Sequence, residues 1–287
     1  MRAEEKKKSR QRIVSLVPSA SSILFALGAQ RDIVGVSRWC KHVAPVGRRA
    51  QVGDCWKLDV SEVTRLRPTL LVGSSPFAPD TVAQILKEPI PFVALNPRSL
   101  LDIENDIRIL GRLTDRKSHA EKIIRKMKRG FGDIVRRAAR NRSQRKPVVY
   151  CEAWPNPRIS SPPWVAELVE IAGGQNAVKA GARVTDEEVA AANPDIIVLA
   201  WAATNDRANS AQALRNPLWQ NVAAVKNERV VVIRDELLNT PGPPLLEGAE
   251  KLFRAIHQRY PRDPDNPHKP RGVDGARNSV RNGAAQC

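Results

Sequence analysis

Cysteine, histidine and aromatic residues are all sparse in this chain of 287 residues, and each shortage closes a route. The four cysteines (Cys40, Cys55, Cys151 and Cys287) include no CxxC pair, so neither a zinc motif nor a disulfide-stapled scaffold is encoded, and the thiols are expected to be free. The four histidines (His42, His119, His257 and His268) form no HExxH motif, and GxSxG, Walker A and GxGxxG are missing as well. No catalytic residue is therefore assigned and an enzyme is not expected. Cys40-Lys41-His42 sets a thiol beside an imidazole, but buried thiols and a surface histidine account for it, and no metal ligand is assigned. Long apolar runs are also missing: the longest, such as residues 196–203, fall far short of the roughly 18 to 20 that a membrane-spanning helix needs. At 42% hydrophobic and 27% charged, the chain is still too apolar for a disordered polymer, and it has room for one large domain or two medium ones.

Acidic residues are outnumbered, 30 against 47 Lys and Arg, a formal charge of +17. Such a balance invites a nucleic-acid or anionic-surface partner, but the excess is concentrated. Residues 98–146 hold 16 Lys and Arg against six Asp and Glu, the leader 1–12 six against two, and the tail 262–287 five against three. Within the basic segment Ala120, Ile123, Ile124, Met127, Phe131, Ile134, Val135 and Ala138 recur every three or four positions, one stripe of a helix whose other face is almost solid Lys and Arg. A helix over 117–140 is about 36 Å long at 1.5 Å per residue, enough to brace two lobes. The charge run then reads as its solvated face, and nucleic acid is not an expected partner. Ser99 and Asp102 carry a capping-box signature for a helix start just upstream.

The basic leader followed by residues 13–29 has the outline of a secretory signal. Pro18, Ser19, Ser21 and Ser22 break its apolar stretch, and the residues parse better as a strand 13–17, a turn at Pro18-Ser19 and a helix 21–27 ended by Gly28. The expected location is cytoplasmic as written, and periplasmic or cell-surface if a signal stands upstream. Runs of Val, Ile and Leu at 33–36, 70–72 and 92–95 continue as buried strands between helices, the pattern of an α/β lobe with a parallel sheet. After Pro147 it restarts, with strands 148–151, 196–200 and 230–233 and helices 165–172 and 245–257. The expected organisation is a disordered leader 1–11, an N-terminal α/β lobe 12–97, a helical linker 98–146 with the long helix, a C-terminal α/β lobe 147–261 and a disordered tail 262–287.

The lobes echo each other. Val63 and Val189 each stand five residues before a proline, Pro68 or Pro194, in a short helix that opens with acids and hands over to a buried strand. Two pseudo-symmetric lobes imply a cleft between them, and such clefts take ligands at the carboxyl ends of strands. Four of the six tryptophans, Trp39, Trp56, Trp154 and Trp201, fall at predicted strand ends. With Pro18 and Ser19 at the first turn they are the expected ligand-binding residues, the indoles serving as platforms for a large, partly apolar ligand.

Several segments, in order, resemble the substrate-binding proteins of vitamin B12 and iron-siderophore ABC importers: residues 12–20, Leu27-Gly28-Ala29, Val34-Gly35-Val36-Ser37, Leu66-Arg67-Pro68, Ala172-Gly173-Gly174, residues 193–198 and Pro241-Gly242-Pro243. The likeness spans residues 12–260, and residues 152–157, Trp164 and the late Pro-Gly-Pro are most similar to the cobalamin-binding branch. It implies two Rossmann-like lobes joined rigidly by a backbone helix, with a corrinoid such as cobalamin held between them by a monomer and no catalytic cofactor. By position Trp39 and Trp56 match cleft aromatics, whereas Ser74 replaces one and Ser21-Ser22 replaces a common Thr-Glu pair. Glu62 (or Ser61) and Glu187 (or Glu188) match the acids, one per lobe, that meet arginines of the permease. The expected function is a non-enzymatic protein that binds a cobalamin-like corrinoid for ABC-type import. Ferric-siderophore or haem binding is the alternative within that class. Outside it stand a cytoplasmic anion- or nucleic-acid-binding module using the basic helix and a corrinoid-processing enzyme using Cys40 or His42.

Overall fold

Strand alternation organises both halves of the molecule. The computed structural model describes residues 10–141, 145–202 and 208–257; the expected leader, apart from residues 10 and 11, and the expected tail lie outside them. The first lobe runs β1 (Ile13–Ser15), α1 (Pro18–Ala26), β2 (Ile33–Ser37), β3 (Ala50–Val52), α2 (Val60–Arg65), β4 (Leu70–Ser74), α3 (Pro79–Ile85) and β5 (Phe92–Leu95). Its five strands form one parallel sheet in the order β3-β2-β1-β4-β5. Helices α4 (Leu100–Leu113) and α5 (Lys117–Arg140) follow. The second lobe runs β6 (Val148–Pro155), β7 (Arg158–Ser160), α6 (Pro163–Ile171), β8 (Gln175–Asn176), α7 (Asp186–Ala192), β9 (Ile196–Leu199), α8 (Ser210–Leu214), α9 (Ala223–Lys226), β10 (Val230–Val232) and α10 (Leu245–His257). Here β10, β9 and β6 are parallel; β8 lies along the start of β6 and the antiparallel β7 along its end.

The period of two along each strand sorts side chains between cores. Ile13, Leu70, Val72, Val149, Cys151, Ile196 and Val198 all enter one continuous core that also takes the buried stripes of α4, α5 and α10. Val14 and Leu71 face a separate core outside the first sheet, and Tyr150, Ile197 and Leu199 face another outside the second. The lobes are thus joined by shared apolar packing through α4, α5 and α10. Gly130 of α5 permits part of this, since a Cβ there would stand 2.4 Å from Leu246 Cδ1 at the start of α10.

Local signals explain the element ends. Gly28, at φ +78°, takes the left-handed conformation that closes α1. The Ser99 hydroxyl accepts from the Asp102 amide at 3.1 Å to open α4, but the Asp102 carboxylate turns back to the Arg98 amide at 2.9 Å, one residue earlier than a capping box requires. A complete box occurs instead at α7, between Thr185 and Glu188. α5 has the expected bounds, with Ala120, Ile124, Met127, Ile134 and Ala138 buried.

Three expectations are corrected. Pro18 and Ser19 do not form a turn: Pro18 is the first residue of α1, where its missing N–H costs nothing. Val135 leaves the stripe and is exposed, because at 3.6 residues per turn it lies about 100° round the helix from Ile134 and about 60° from Ala138, both buried. The strand expected at 148–151 extends to Pro155 and folds back as β7, a pairing hidden by the Pro155-Asn156-Pro157 breaker. Among the described residues no helix is long and apolar enough to cross a membrane.

Candidate functional site

Parallel strands end on the same side of a sheet, so the segments leaving β1, β4 and β5 gather at one edge of the first lobe. They face the ends of β6 and β7, the start of α6 and residues 235–241, and the two edges enclose a cleft of about 680 Å³. Pro18, Ser19, Trp39 and Trp56 all line it. The two indoles are organised by Asp54, which sequence reasoning passed over. Its Oδ2 accepts from Trp39 Nε1 at 2.8 Å, and its Oδ1 accepts the amides of Trp56 and Lys57 at 3.0 and 3.1 Å. Burial alone would raise the Asp54 carboxyl, but these donors, with Arg38 nearby, hold it below the usual carboxylate range. The Arg38 guanidinium also stacks 4.7 Å from the Trp39 ring centre. Trp56 remains 63% exposed at the rim, an open platform.

The second lobe supplies its indole from elsewhere. Trp164, in the first turn of α6, lines the cleft and donates from Nε1 to the Leu238 carbonyl at 2.8 Å, tying α6 to residues 235–241. Trp154 and Trp201 are not on the wall. Ala153 is the extra residue of a bulge between β6 and β7 and occupies the wall, while Trp154 lies beyond it, 40% exposed, with its indole N–H on the Asn156 carbonyl. Trp201 is 7% exposed and belongs to the outer core of the second sheet, where its Nε1 donates to Glu152 Oε1 at 2.8 Å.

That carboxylate anchors a buried network. Glu152 Oε2 accepts from the Tyr150 hydroxyl at 2.8 Å and from the Arg158 guanidinium, and Arg158 reaches Asp186 at 2.8 Å while lying 4.4 Å over the Trp219 ring. Burial and the Glu152 charge push the Tyr150 hydroxyl well up. Burial opposes the Arg158 charge, but Glu152 outweighs it and the guanidinium is raised.

Glu62 and Glu187 are exposed in the first turns of α2 and α7. The open amide of Glu187 and the Thr185 side chain lower the Glu187 carboxyl. The matched segments carry a structural echo as well: Arg67 and Asn193, each just before the matching proline, have φ of 45° and 41°. Cys40 is buried against Ser37, 3.2 Å from its hydroxyl, and His42 faces Glu236 at 3.7 Å. Burial pushes the Cys55 thiol, on the cleft wall, up to about 12. Among the described residues no three His, Cys, Asp or Glu side chains gather as a metal site. On the basic helix, Arg137 pairs with Glu250, Lys128 with Glu104 and Arg136 with Asp133.

Of the lining residues, Asp54, Arg98, Asn239 and Thr240 escaped the sequence reading, and Trp164 entered it only through the resemblance, not as a cleft residue. Only Asp54 had a local signal, an Asp two and three residues before the amides it accepts.

A family model described as periplasmic binding protein matches residues 13–237. The chain is 27% identical over 261 residues to an uncharacterized ABC transporter substrate-binding lipoprotein of Bacillus subtilis, covering 88% of this chain and 81% of that one. It is 23% identical to a cobalamin-binding protein of Halobacterium salinarum, covering 86% and 69%. Among solved structures, a periplasmic heme binding protein of Pseudomonas aeruginosa superposes with a TM-score of 0.76 at 25% identity, covering 86% and 92%. The periplasmic vitamin B12 binding protein of Vibrio cholerae superposes with a TM-score of 0.69 at 20% identity, covering 86% and 96%.

Proposed function

The chain belongs to the periplasmic binding protein family, substrate-binding proteins of ABC importers, and on that premise we propose that its cleft holds a cobalamin-like corrinoid. The observation that carries this reading is the makeup of the cleft wall. Three indoles, Trp39, Trp56 and Trp164, stand with neutral hydroxyls and amides such as Ser74, Asn96 and Asn239. Haem is held through an axial His, Cys, Met or Tyr. Among the described lining residues Cys55 is the one side chain of those types, and it is buried with its thiol raised to about 12, so it stays protonated near neutral pH. A corrinoid brings its own axial ligands and a rim of neutral amides, which suits indole faces and uncharged hydrogen-bonding groups. An anionic ferric siderophore would meet Asp54 and Asp235, opposed on this wall by Arg98. The cobalamin-binding protein of H. salinarum and the vitamin B12 binding protein of V. cholerae among the relatives favour the same ligand.

Titration of the purified protein with cyanocobalamin and, separately, with haemin tests the reading. Cyanocobalamin should bind, and Trp56→Ala should weaken it by about 1 to 3 kcal/mol, the worth of a well-covered aromatic contact. Trp154→Ala, also an exposed indole but off the wall, should leave affinity unchanged. Haemin binding without corrinoid binding overturns the assignment. On the same reading Glu62 and Glu187 dock on the permease. Exposed ion pairs are worth roughly 0 to 1 kcal/mol each, so the two acids would serve orientation more than affinity. Reversing both to Lys should abolish coupled uptake in a receptor-deleted host without altering corrinoid affinity; uptake that survives the reversal refutes the docking role.

A further inference from the structure

Helix α1 begins on the cleft wall, where Val17, Pro18 and Ser19 line it. The N-cap residue Val17 has no side chain able to accept a hydrogen bond, and no acid stands in that turn. The first intrahelical bond runs from the Ser21 amide to the Val17 carbonyl at 3.2 Å, so the amides of Ser19 and Ala20 precede it. At α2, α4, α7 and α8 a side chain, Asp59, Ser99, Thr185 or Asn209, accepts from the first turn, whereas α3, α5 and α9 share with α1 an N-cap residue whose side chain accepts nothing. At α6 two consecutive prolines, Pro162 and Pro163, remove the amides instead.

Two hydroxyls stand on the same cleft. Ser19 is 5% exposed, lines the cleft, and its hydroxyl makes no hydrogen bond among the described residues. Thr240 comes from the other lobe, is 7% exposed, lines the cleft, and is likewise without a partner for its hydroxyl. The Thr240 segment is packed on α1, since a Cβ on Gly242 would stand 2.8 Å from Ser22 Oγ and 3.3 Å from Ile23 Cγ1. Neither hydroxyl oxygen is sealed from the cleft, so both can donate to a group that enters it, and a helix N-terminus with open amides favours an oxyanion. The neighbouring hydroxyls cannot serve, because Ser21 donates to Ser15 and Ser22 to the Ser19 carbonyl.

We infer that Ser19, Thr240 and the first amides of α1 form a subsite for a phosphate-type oxyanion carried by the ligand, so that the cleft distinguishes a corrinoid bearing a nucleotide phosphodiester from one lacking it. The inference rests on the corrinoid reading and adds the discriminating group to it.

The experiment compares two ligands, cyanocobalamin, which has the phosphodiester, and dicyanocobinamide, which does not, on wild-type protein, Ser19→Ala and Thr240→Val. Each substitution should lower cyanocobalamin affinity about tenfold, the worth of a hydrogen bond to a charged group, and cobinamide affinity by distinctly less. Ser19→Asp, which fills the helix end with its own carboxylate, should cost cyanocobalamin more than Ser19→Ala does. Equal losses for both ligands, or none for either, overturn the subsite. A second measurement is independent of any corrinoid: titration with inorganic phosphate should shift the Ser19 and Ala20 amide resonances in wild-type protein and not in Ser19→Asp. Those shifts would support the subsite even if neither corrinoid bound and the functional reading failed; amides that ignore phosphate refute it.

Discussion

Behind the cleft wall of the first lobe the buried polar side chains are hydroxyls, Ser15, Ser21, Ser22 and Ser37, bonded to each other, to nearby carbonyls or to the Cys40 thiol. Behind that of the second lobe, beside the buried hydroxyls of Ser160 and Ser161, stands a charged cluster, buried Glu152 with half-buried Arg158, tied to Tyr150, Trp201 and Asp186. The strand plan is otherwise shared. β1 lies between β2 and β4 as β6 lies between β8 and β9, and β5 and β10 take the next positions outward. The same parallel scaffold therefore tolerates two solutions to the same problem. A hydroxyl needs one local acceptor, whereas a buried carboxylate needs a converging set of donors from several elements. The second lobe recruits those donors from β6, β7 and the segment after β9, so its polar centre couples parts that the first lobe leaves independent.

Arg158→Ala carries the largest expected effect on this contrast. It leaves Glu152, fully buried, without its counter-charge, and removal of one partner from a buried pair costs about 3 to 5 kcal/mol. Denaturant unfolding should show the loss; a midpoint within error of wild type would mean that the network contributes no more than the serines opposite.

A second, smaller effect comes from α4, in the connection between the lobes. Asp106 is buried there, and burial, with the Asp102 charge nearby, pushes its carboxyl up to about 7. A carboxyl that binds its proton more tightly in the folded state than at its ordinary value near 3.9 favours folding at low pH. Stability should therefore fall as the pH rises from about 4 to about 7 and then level off. Asp106→Asn should remove this slope and raise the melting temperature by a few degrees at pH 8, with little change at pH 4. Thermal scans across that range check it, and an unchanged slope would assign the pH dependence to other groups.

Ser21→Ala should matter least. It deletes one hydroxyl that donates to Ser15 Oγ at 2.9 Å, and Ser15 keeps its own bond to the Val17 carbonyl. The expected cost is about 0.5 to 1.5 kcal/mol. A loss as large as that of Arg158→Ala would erase the distinction between the lobes.

The elements legible in the sequence are those whose signals are local. α5 and α10 were bounded correctly because an amphipathic period over 24 or 13 residues leaves little freedom in where the helix begins and ends. The central strands were legible from runs of β-branched residues, and the helix starts at α2 and α7 from their acids. β3, β7 and β8, of two or three residues, were not legible, because at that length only the partner strand makes the segment a strand. The site was half legible. Pro18, Ser19, Trp39 and Trp56 follow strands whose ends face the cleft, so position along the chain sufficed. For Trp154 and Trp201 it did not.

The sequence by itself determined the α/β class, the bracing helix and the edge on which the cleft opens, since strand polarity and helical period follow from the order of side chains. Which indole faces that edge was decided only by tertiary structure. Trp154 is displaced by the bulge at Ala153, and Trp201 is drawn into the outer core by Glu152, whose donors are assembled from distant segments. Trp164 reaches the cleft because the Leu238 carbonyl holds it there from 74 residues away. A side chain's direction at a strand end depends on pairing register and on partners remote in the chain, and neither can be read from its immediate neighbours.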